Sequence, residues 1–197
     1  MPPNSRASFG PSPQVPTTFD TDGNEETATR GTFVIEGTGW QSLGGGVLRD
    51  TPEGVDNGLY VSLMVVEVDR VWEAPCDGGA SLPSGITAKV LGGQFAAMPE
   101  FTTREGLAPV SAFGRGGYHL ALEVPGGCNT GEQMVWEGPT WGRYYQAEGQ
   151  IVEYWFLNVE GTTVMVEATR SPESGEEDVA ELRADLDTLL DTLVVSP

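Results

Sequence analysis

The stretch from Gln150 to Arg170 reads Gln-Ile-Val-Glu-Tyr-Trp-Phe-Leu-Asn-Val-Glu-Gly-Thr-Thr-Val-Met-Val-Glu-Ala-Thr-Arg. Its two halves, Ile151 to Asn158 and Thr162 to Thr169, are rich in aromatic and β-branched residues, and Glu160-Gly161 forms a short turn between them. This pattern predicts a β-hairpin. Because a lone hairpin is only marginally stable in water, it requires a cover.

The segment after the hairpin predicts that cover. Apolar residues recur at helical spacing and draw one stripe, made of Val179, Leu182, Leu186, Leu189 and Leu193. Ser174, with Glu177 three residues later, forms a capping-box pattern at the start of this stripe. We therefore expect a C-terminal helix that packs on the hairpin.

Upstream of the hairpin, shorter patterns predict further elements. Strands are expected at 32–36, 47–50, 59–72, 109–113 and 118–124. The run 59–72 is apolar on both faces, which indicates a central strand. Ser84 is expected to cap one short helix from Gly85 to about Met98, whereas 74–85 and 99–106 are expected to be turns and connections. Together these elements predict an α+β fold, with a largely antiparallel sheet, a C-terminal packing helix and one short internal helix.

Composition divides the chain into two parts. Residues 1–30 carry five prolines among Ser, Thr and Asn, which predicts a disordered tether, and residues 31–197 are expected to form a single domain. Within the tether, Asp20, Asp22 and Asn24 resemble the opening of a calcium loop. The match fails at the sixth position, where Glu25 replaces glycine, and at the twelfth, where Gly31 replaces a bidentate glutamate. No metal or other cofactor is expected.

Charge excludes several classes of partner. The chain has 29 acidic and 10 basic residues and a net charge of −19. This charge repels phosphates, so we expect no nucleic-acid partner. No apolar run reaches the roughly 18 to 20 residues of a membrane-spanning helix, so no direct membrane insertion is expected, and the chain is expected to be a soluble monomer. The N-terminus lacks signal-peptide features. Whether an anchor was removed upstream is left open by the sequence.

The two cysteines, Cys76 and Cys128, match neither a CxxC motif nor a zinc cluster. From the residues alone they are either one structural disulfide or two buried thiols. Free thiols would indicate a cytoplasmic protein, because disulfides persist in oxidising compartments.

A resemblance favours the first alternative. The order of motifs includes Phe33, Gly39-Trp40, Val71-Trp72-Glu-Ala-Pro-Cys76, Gly117-Tyr118-His-Leu-Ala-Leu-Glu-Val-Pro125, Cys128, Trp136, Gly142-Arg143-Tyr144-Tyr145-Gln146, Tyr154-Trp155 and Val159-Glu-Gly161. Over residues 30–195 this order resembles a group of uncharacterised actinobacterial extracytoplasmic proteins, and the second half is distantly similar to the photosystem protein PsbP.

That resemblance implies a PsbP-like sandwich, an upstream membrane anchor or lipoprotein-like attachment, and an extracytoplasmic location in the cell envelope or outside the cell. It also implies a disulfide between Cys76 and Cys128, but no established activity. The chain departs from the group at the hairpin turn, which reads Asn158-Val-Glu-Gly161 instead of Asp-Val-Asp-Gly. This departure removes the basis for a cation role at the turn.

The only histidine, His119, limits catalytic chemistry. Together with Glu123 on the same strand face it could bind a metal or move a proton. Two ligands are too few for a closed metal site, and neither a Gly-x-Ser-x-Gly elbow nor an HExxH motif is present. The simpler interpretation is a surface or half-buried strand histidine, and no catalytic residue is assigned.

The densest aromatic region suggests a binding site. Aromatic faces can stack on sugars or aromatic ligands, and an arginine can grip a carboxylate. The candidate ligand-binding residues are Trp136, Trp141, Arg143, Tyr144, Tyr145 and Trp155. The alternative is that most of these side chains simply pack in the core.

These observations predict a non-enzymatic extracytoplasmic binding or sensory module that is tethered to the cell envelope. Its partner would be an unknown small molecule or an envelope protein. Two alternatives remain: a structural or assembly docking domain, and a small hydrolase or metal-dependent enzyme that uses His119.

Overall fold

The computed structural model of the chain describes residues 16–20, 30–35, 39–43, 45–51, 59–77, 79–127, 134–139, 142–144, 147–172 and 177–197. The strands are β1 (Pro16–Asp20), β2 (Arg30–Val34), β3 (Gln41–Leu43), β4 (Gly46–Asp50), β5 (Tyr60–Val66), β6 (Arg70–Trp72), β7 (Ser81–Pro83), β8 (Thr102–Ala112), β9 (Arg115–Glu123), β10 (Met134–Glu137), β11 (Gly142–Tyr144), β12 (Ile151–Val159), β13 (Thr162–Arg170) and β14 (Val194–Ser196). The helices are α1 (Ala88–Ala96) and α2 (Glu177–Thr192), and Pro75–Asp77 forms a 3-10 turn.

The predicted hairpin is β12 and β13, and it lies inside a seven-stranded sheet. The strand order is β3-β4-β5-β13-β12-β9-β8, and every described pairing in it is antiparallel. Glu160 and Gly161 both have positive φ, at 49° and 96°, as the predicted two-residue hairpin turn requires. The α+β fold class with a C-terminal helix and one short internal helix is therefore confirmed.

Both faces of this sheet are buried. Along β5, Met64 and Val66 belong to one hydrophobic core, whereas Val61, Leu63 and Val65 belong to a second core on the opposite face. All seven residues of β5 are buried. The prediction of a central strand apolar on both faces is thus confirmed for residues 60–66.

The first face, called here the α1 face, is covered by two elements. Helix α1 packs on β9 and β12, and Phe95 is in ring contact with Tyr154 and Phe156. A four-stranded sheet with the order β11-β10-β6-β7 contributes Val71 and Trp136 to the same core.

The second face, called here the α2 face, lies under the C-terminal helix. The stripe that the sequence predicts is buried there, with Leu186 fully inaccessible. A three-stranded sheet with the order β1-β2-β14 adds Phe33 and Val195 to this core. The predicted cap Ser174 lies outside the described residues.

Three boundaries differ from the sequence predictions. Residues 102–106, expected in a connection, belong to the eleven-residue edge strand β8, whose largely exposed side chains give no alternating pattern. The single strand expected at 59–72 is broken, because Arg70–Trp72 leaves the large sheet and pairs with β7 and β10. Helix α1 begins three residues later than expected, and Thr87 caps it in place of Ser84, accepting a hydrogen bond from the Val90 amide.

The N-terminal tether and the cysteine pair are only partly described. Within the expected tether, Pro16–Asp20 forms β1 and pairs with β2, whereas residues 1–15 and 21–29 lie outside the described residues. Cys76 is half-buried against the core of the α1 face, and the described part of the chain contains no free cysteine. Because Cys128 lies outside the described residues, its bond to Cys76 stays a prediction.

Candidate functional site

The structure brings two of the six predicted ligand-binding residues together. Trp136 and Arg143 face each other across the paired strands β10 and β11. Trp155 lies on the opposite face of the large sheet, in the core under α2. Trp141 and Tyr145 lie outside the described residues, and Tyr144 is described only as part of the β11 backbone.

Trp136 and Arg143 meet at a buried carboxylate. The Trp136 indole donates a hydrogen bond of 2.7 Å to Oε2 of Glu167, and Nε of Arg143 lies 3.0 Å from Oε1. Glu167 projects from β13 towards the four-stranded sheet and has no accessible surface. This cluster therefore joins the four-stranded sheet to the seven-stranded one.

The remaining contacts of Arg143 are also within the protein. Its Nη2 donates to the hydroxyls of Thr169, Ser62 and Tyr60 at 3.0, 3.3 and 3.4 Å. The carboxylate that this arginine grips in the described structure is thus Glu167. A ligand-binding role for Trp136 and Arg143 stays a prediction.

Burial sets the titration of this cluster. Burial raises the pKa of Glu167, and the Arg143 guanidinium offsets part of that rise. The pKa of Tyr154, which is fully buried beside the cluster, is raised well above its ordinary value by burial and by the Glu167 charge. The Tyr154 hydroxyl has no hydrogen-bond partner among the described atoms.

A second polar site lies on the α2 face of the sheet. It is a cleft of about 510 Å³, called here the arginine cleft. Its charged lining residues are Arg104, Arg170, Arg183, Glu105, Glu123 and Glu153. Three of the nine arginines in this acidic chain therefore line one cleft.

Strand register and a small residue open this cleft. Glu153 on β12 lies directly opposite two small residues, Ala121 on β9 and Ala168 on β13. Arg170 at the end of β13 reaches back to Glu153 and forward to Asp187 on α2, at 2.5 and 2.6 Å. Arg183 on α2 donates to the Ser171 carbonyl at 2.7 Å. The helix and the sheet together thus fix the position of the guanidinium groups.

His119 lies beside this cleft. Its Nδ1 is 3.5 Å from Glu105 and its Nε2 is 3.4 Å from Glu153, while its ring packs on Trp155 at 4.8 Å between centroids. Glu123, the partner that the sequence suggests for His119, is instead paired with Arg104. The neighbouring carboxylates of the histidine come from other strands, β8 and β12, which one strand's pattern cannot reveal.

Charge pairing also sets the pKa of Glu153. Burial alone would raise it, but the nearby His119 ring, the hydrogen bond from Arg170 and the Arg170 charge hold the pKa of Glu153 below its ordinary value. The pKa of Arg170 is raised against the opposing effect of its burial, because Glu153 and Asp187 favour its charged form. The cleft therefore presents ionised groups of both signs.

This arrangement is suited to hydrogen bonding with a polar molecule. Guanidinium groups donate in a fixed planar geometry, and carboxylates accept. Within the described ranges no three His, Cys, Asp or Glu side chains are placed to hold a metal ion. Neither of the helices described is long and apolar enough to cross a membrane.

Sequence patterns did not single out the arginine cleft. Arg104 and Glu105 belong to a segment expected to be a connection, and Arg170 ends the stretch from which only a hairpin was predicted. One feature of the sequence could have indicated the cleft. Because the chain has only 10 basic residues, each arginine is a candidate for a specific structural or binding role.

Comparisons with known proteins are sparse. No family model matches the chain, and no curated protein matches it. Among solved structures, LpqN, which is involved in cell envelope biogenesis of Mycobacterium tuberculosis, is similar with a TM-score of 0.41 and 9% identity, covering 98% of this chain and 91% of LpqN. A likeness at that level assigns neither a family nor a function to this chain. The resemblance to PsbP and to actinobacterial extracytoplasmic proteins stays a prediction.

Proposed function

We propose that this chain is a non-enzymatic extracytoplasmic binding module that is tethered to the cell envelope and takes a polar ligand in the arginine cleft. The ligand carries carboxylate, hydroxyl and amino groups. Soluble saccharide-peptide fragments of a bacterial cell wall combine these groups.

Sequence features support the location. The five prolines among Ser, Thr and Asn in residues 1–30 are the basis of the predicted tether, and a Cys76–Cys128 disulfide would require an oxidising compartment. The motif order that resembles extracytoplasmic proteins points the same way.

The observation that carries the binding role is the arrangement of charges in the arginine cleft. Three arginines and three glutamates line about 510 Å³, which is within the usual range for small-molecule sites. Carboxylates and hydroxyls of a ligand can accept from the guanidinium groups, whereas amino groups and hydroxyls can donate to the glutamates. Such a mixed surface suits a polar ligand better than an apolar one.

The same charges support a non-enzymatic role. A catalytic acid needs a pKa raised towards the working pH, but the pKa of Glu153 is lowered. The described residues that line the cleft include no serine, threonine or cysteine that could act as a nucleophile. Glu167, a carboxyl group whose pKa is raised, lies buried on the opposite face of the sheet.

The aromatic candidates belong to the proposal as a second contact. Trp136 and Arg143 would act as anchors, since both contact the buried Glu167. Trp141, Tyr144 and Tyr145 are kept as candidates for a separate contact with an envelope partner, because Trp136 and Arg143 lie on the α1 face, opposite the arginine cleft. Trp155 would act through His119, whose ring it supports.

Isothermal titration calorimetry with muropeptides released from peptidoglycan tests the binding role. Arg104 is suited to substitution because its side chain is 54% exposed. Loss of one charge-assisted hydrogen bond in Arg104→Gln should weaken binding by about tenfold or more. The matched control is Arg70→Gln, an exposed arginine on β6 that contacts Ser81 outside the cleft. Equal affinities of the wild type and Arg104→Gln, or no heat of binding, would overturn the proposal.

One observation favours a structural or assembly docking domain as the second candidate. The central strand β5 of the large sheet is buried on both faces, and Trp136 and Tyr154 have no accessible surface. If that candidate is right, affinity purification from envelope extracts should recover a stable complex that Arg104→Gln leaves intact. The hydrolase alternative requires a turnover that His119→Ala abolishes.

A further inference from the structure

A groove on the other side of the molecule is apolar. It lies between α1 and the β6–β7 pair, encloses about 300 Å³, and is lined by Val71, Leu82, Val90 and Ala97, with Gly93 in its wall. We call it the apolar groove. It shares no lining residue with the arginine cleft.

Two adjacent glycines of α1, Gly92 and Gly93, have different surroundings. A Cβ on Gly92 would lie 2.6 Å from Leu107 Cδ1 and 2.9 Å from Phe156 Cδ2, so α1 needs glycine there to approach the sheet. A Cβ on Gly93 would meet nothing within 4 Å. Because glycine weakens a helix interior relative to alanine, Gly93 costs helix stability without improving any internal contact. Gly93 therefore borders open space in the wall of the groove.

Large apolar side chains are also exposed at the start of α1. Ile86, just before α1, is 89% exposed, and Val90, one turn further on, is 53% exposed. These are two of the three large hydrophobic residues that are exposed in the described part of the chain. An occupant that covers this surface must extend outside the cavity, as a polypeptide segment does.

The charged residue at the rim of the apolar groove indicates the charge of its occupant. Glu73 is the one charged residue among those that line the groove, and it is exposed. Gln94, the other long polar side chain, is held by hydrogen bonds with the Pro83 carbonyl and the Gly85 amide at 2.9 and 2.7 Å. Lys89 lines a different cleft. With a net charge of −19, the protein attracts a cationic occupant here.

We propose that the apolar groove binds a segment of a partner protein that inserts an apolar side chain and places a lysine or arginine beside Glu73. An apolar or aromatic anchor in a pocket with a polar rim is a common arrangement at protein interfaces. The groove is too small to hold a whole domain interface, so the contact is made by one short segment.

Fluorescence anisotropy with labelled peptides tests this proposal. The probe is Gly-Lys-Leu-Phe-Lys-Gly, and its comparison peptides are Gly-Glu-Leu-Phe-Glu-Gly, which reverses the charge, and Gly-Lys-Ala-Ala-Lys-Gly, which removes the anchor. We expect the probe to bind about tenfold more tightly than either comparison peptide.

Variants then locate the site. Gly93→Leu should abolish the preference for the anchored peptide, because the new side chain fills the groove. Gly106→Leu is the matched control, since a Cβ there also meets nothing within 4 Å but lies on β8, away from the groove. Glu73→Gln should remove the preference for lysine, whereas Asp191→Asn, the same charge change at an exposed position of α2, should not.

Three results would overturn the proposal. The first is equal binding of the probe by Gly93→Leu and Gly106→Leu. The second is equal binding of the three peptides, which would indicate attraction by net charge alone. The third is a concentration-dependent dimer in light scattering that Gly93→Leu dissociates, which would identify the occupant as a second copy of this chain.

Discussion

Arg143 and Glu167 form an ion pair inside the protein, where Nε of the arginine lies 3.0 Å from Oε1 of a carboxylate with no accessible surface. Replacing Glu167 by glutamine leaves the guanidinium buried without a countercharge. We expect this variant to lose about 3–5 kcal/mol of unfolding free energy, measured by urea denaturation.

A double-mutant cycle checks the coupling. The cycle compares Arg143→Met and Glu167→Leu with the variant that carries both changes. Because the double variant leaves no unpaired buried charge, its loss of unfolding free energy should be smaller than the sum of the losses in the two single variants. Additive losses would show that the two side chains act independently.

The adjacent glycines of α1 predict opposite effects of the same substitution. Gly93→Ala should stabilise the protein by about 0.5–1 kcal/mol, because alanine favours the helix and its Cβ meets open space. Gly92→Ala should destabilise it, since the new Cβ would lie 2.6 Å from Leu107 and 2.9 Å from Phe156. Thermal melts of the two variants provide the comparison, and a loss of stability in Gly93→Ala would contradict an open groove.

Glu153 predicts an acid-dependent loss of stability. Its folded-state pKa lies below the ordinary value of 4.5, because His119 and Arg170 outweigh the opposing effect of burial. A lowered pKa contributes stability above the unfolded-state value, and this contribution disappears as pH falls through the folded-state pKa.

The test compares the wild type with Glu153→Gln in urea at several pH values. The wild type should be the more stable protein near neutral pH, and the difference should shrink as pH falls below 4.5. Asp191→Asn, at an exposed position on α2, serves as the control. A difference that stays constant across this range would contradict the assigned pKa direction.

The predicted Cys76–Cys128 bond is tested by counting thiols in denatured, non-reduced protein from the native host. We expect no free thiol and a monomeric mass. Reduction should then cost about 2–5 kcal/mol of stability, because the bond constrains the unfolded chain. Two free thiols would remove the argument for an oxidising compartment.

The sequence predicted the fold better than the site, and the reasons are physical. The hairpin from Ile151 to Arg170 and the stripe on α2 carry strong local periodicity, so their strands, turn and helix follow from neighbouring residues. Edge strand β8 was partly missed because solvent surrounds most of its side chains, and burial imposes no pattern on them. Strand β6 was merged with β5 because alternation does not report which sheet a strand joins.

The sites depend on long-range contacts. Glu167 looked like an ordinary strand residue, but its partners Trp136 and Arg143 come from another sheet. His119 was matched with Glu123 on its own strand, whereas Glu105 and Glu153 lie across strand boundaries. Such pairings depend on register and topology, which spacing along one segment does not contain.

The most direct test of the proposed function is an NMR titration of the full chain, labelled with ¹⁵N, with muropeptides. We predict that the largest, saturable shifts occur at the side-chain Nε–H groups of Arg104, Arg170 and Arg183 and at the His119 ring. Arg104→Gln should weaken these shifts, whereas Arg70→Gln should not. Shifts centred elsewhere, for example on the apolar groove, or no shifts at saturating ligand, would contradict it.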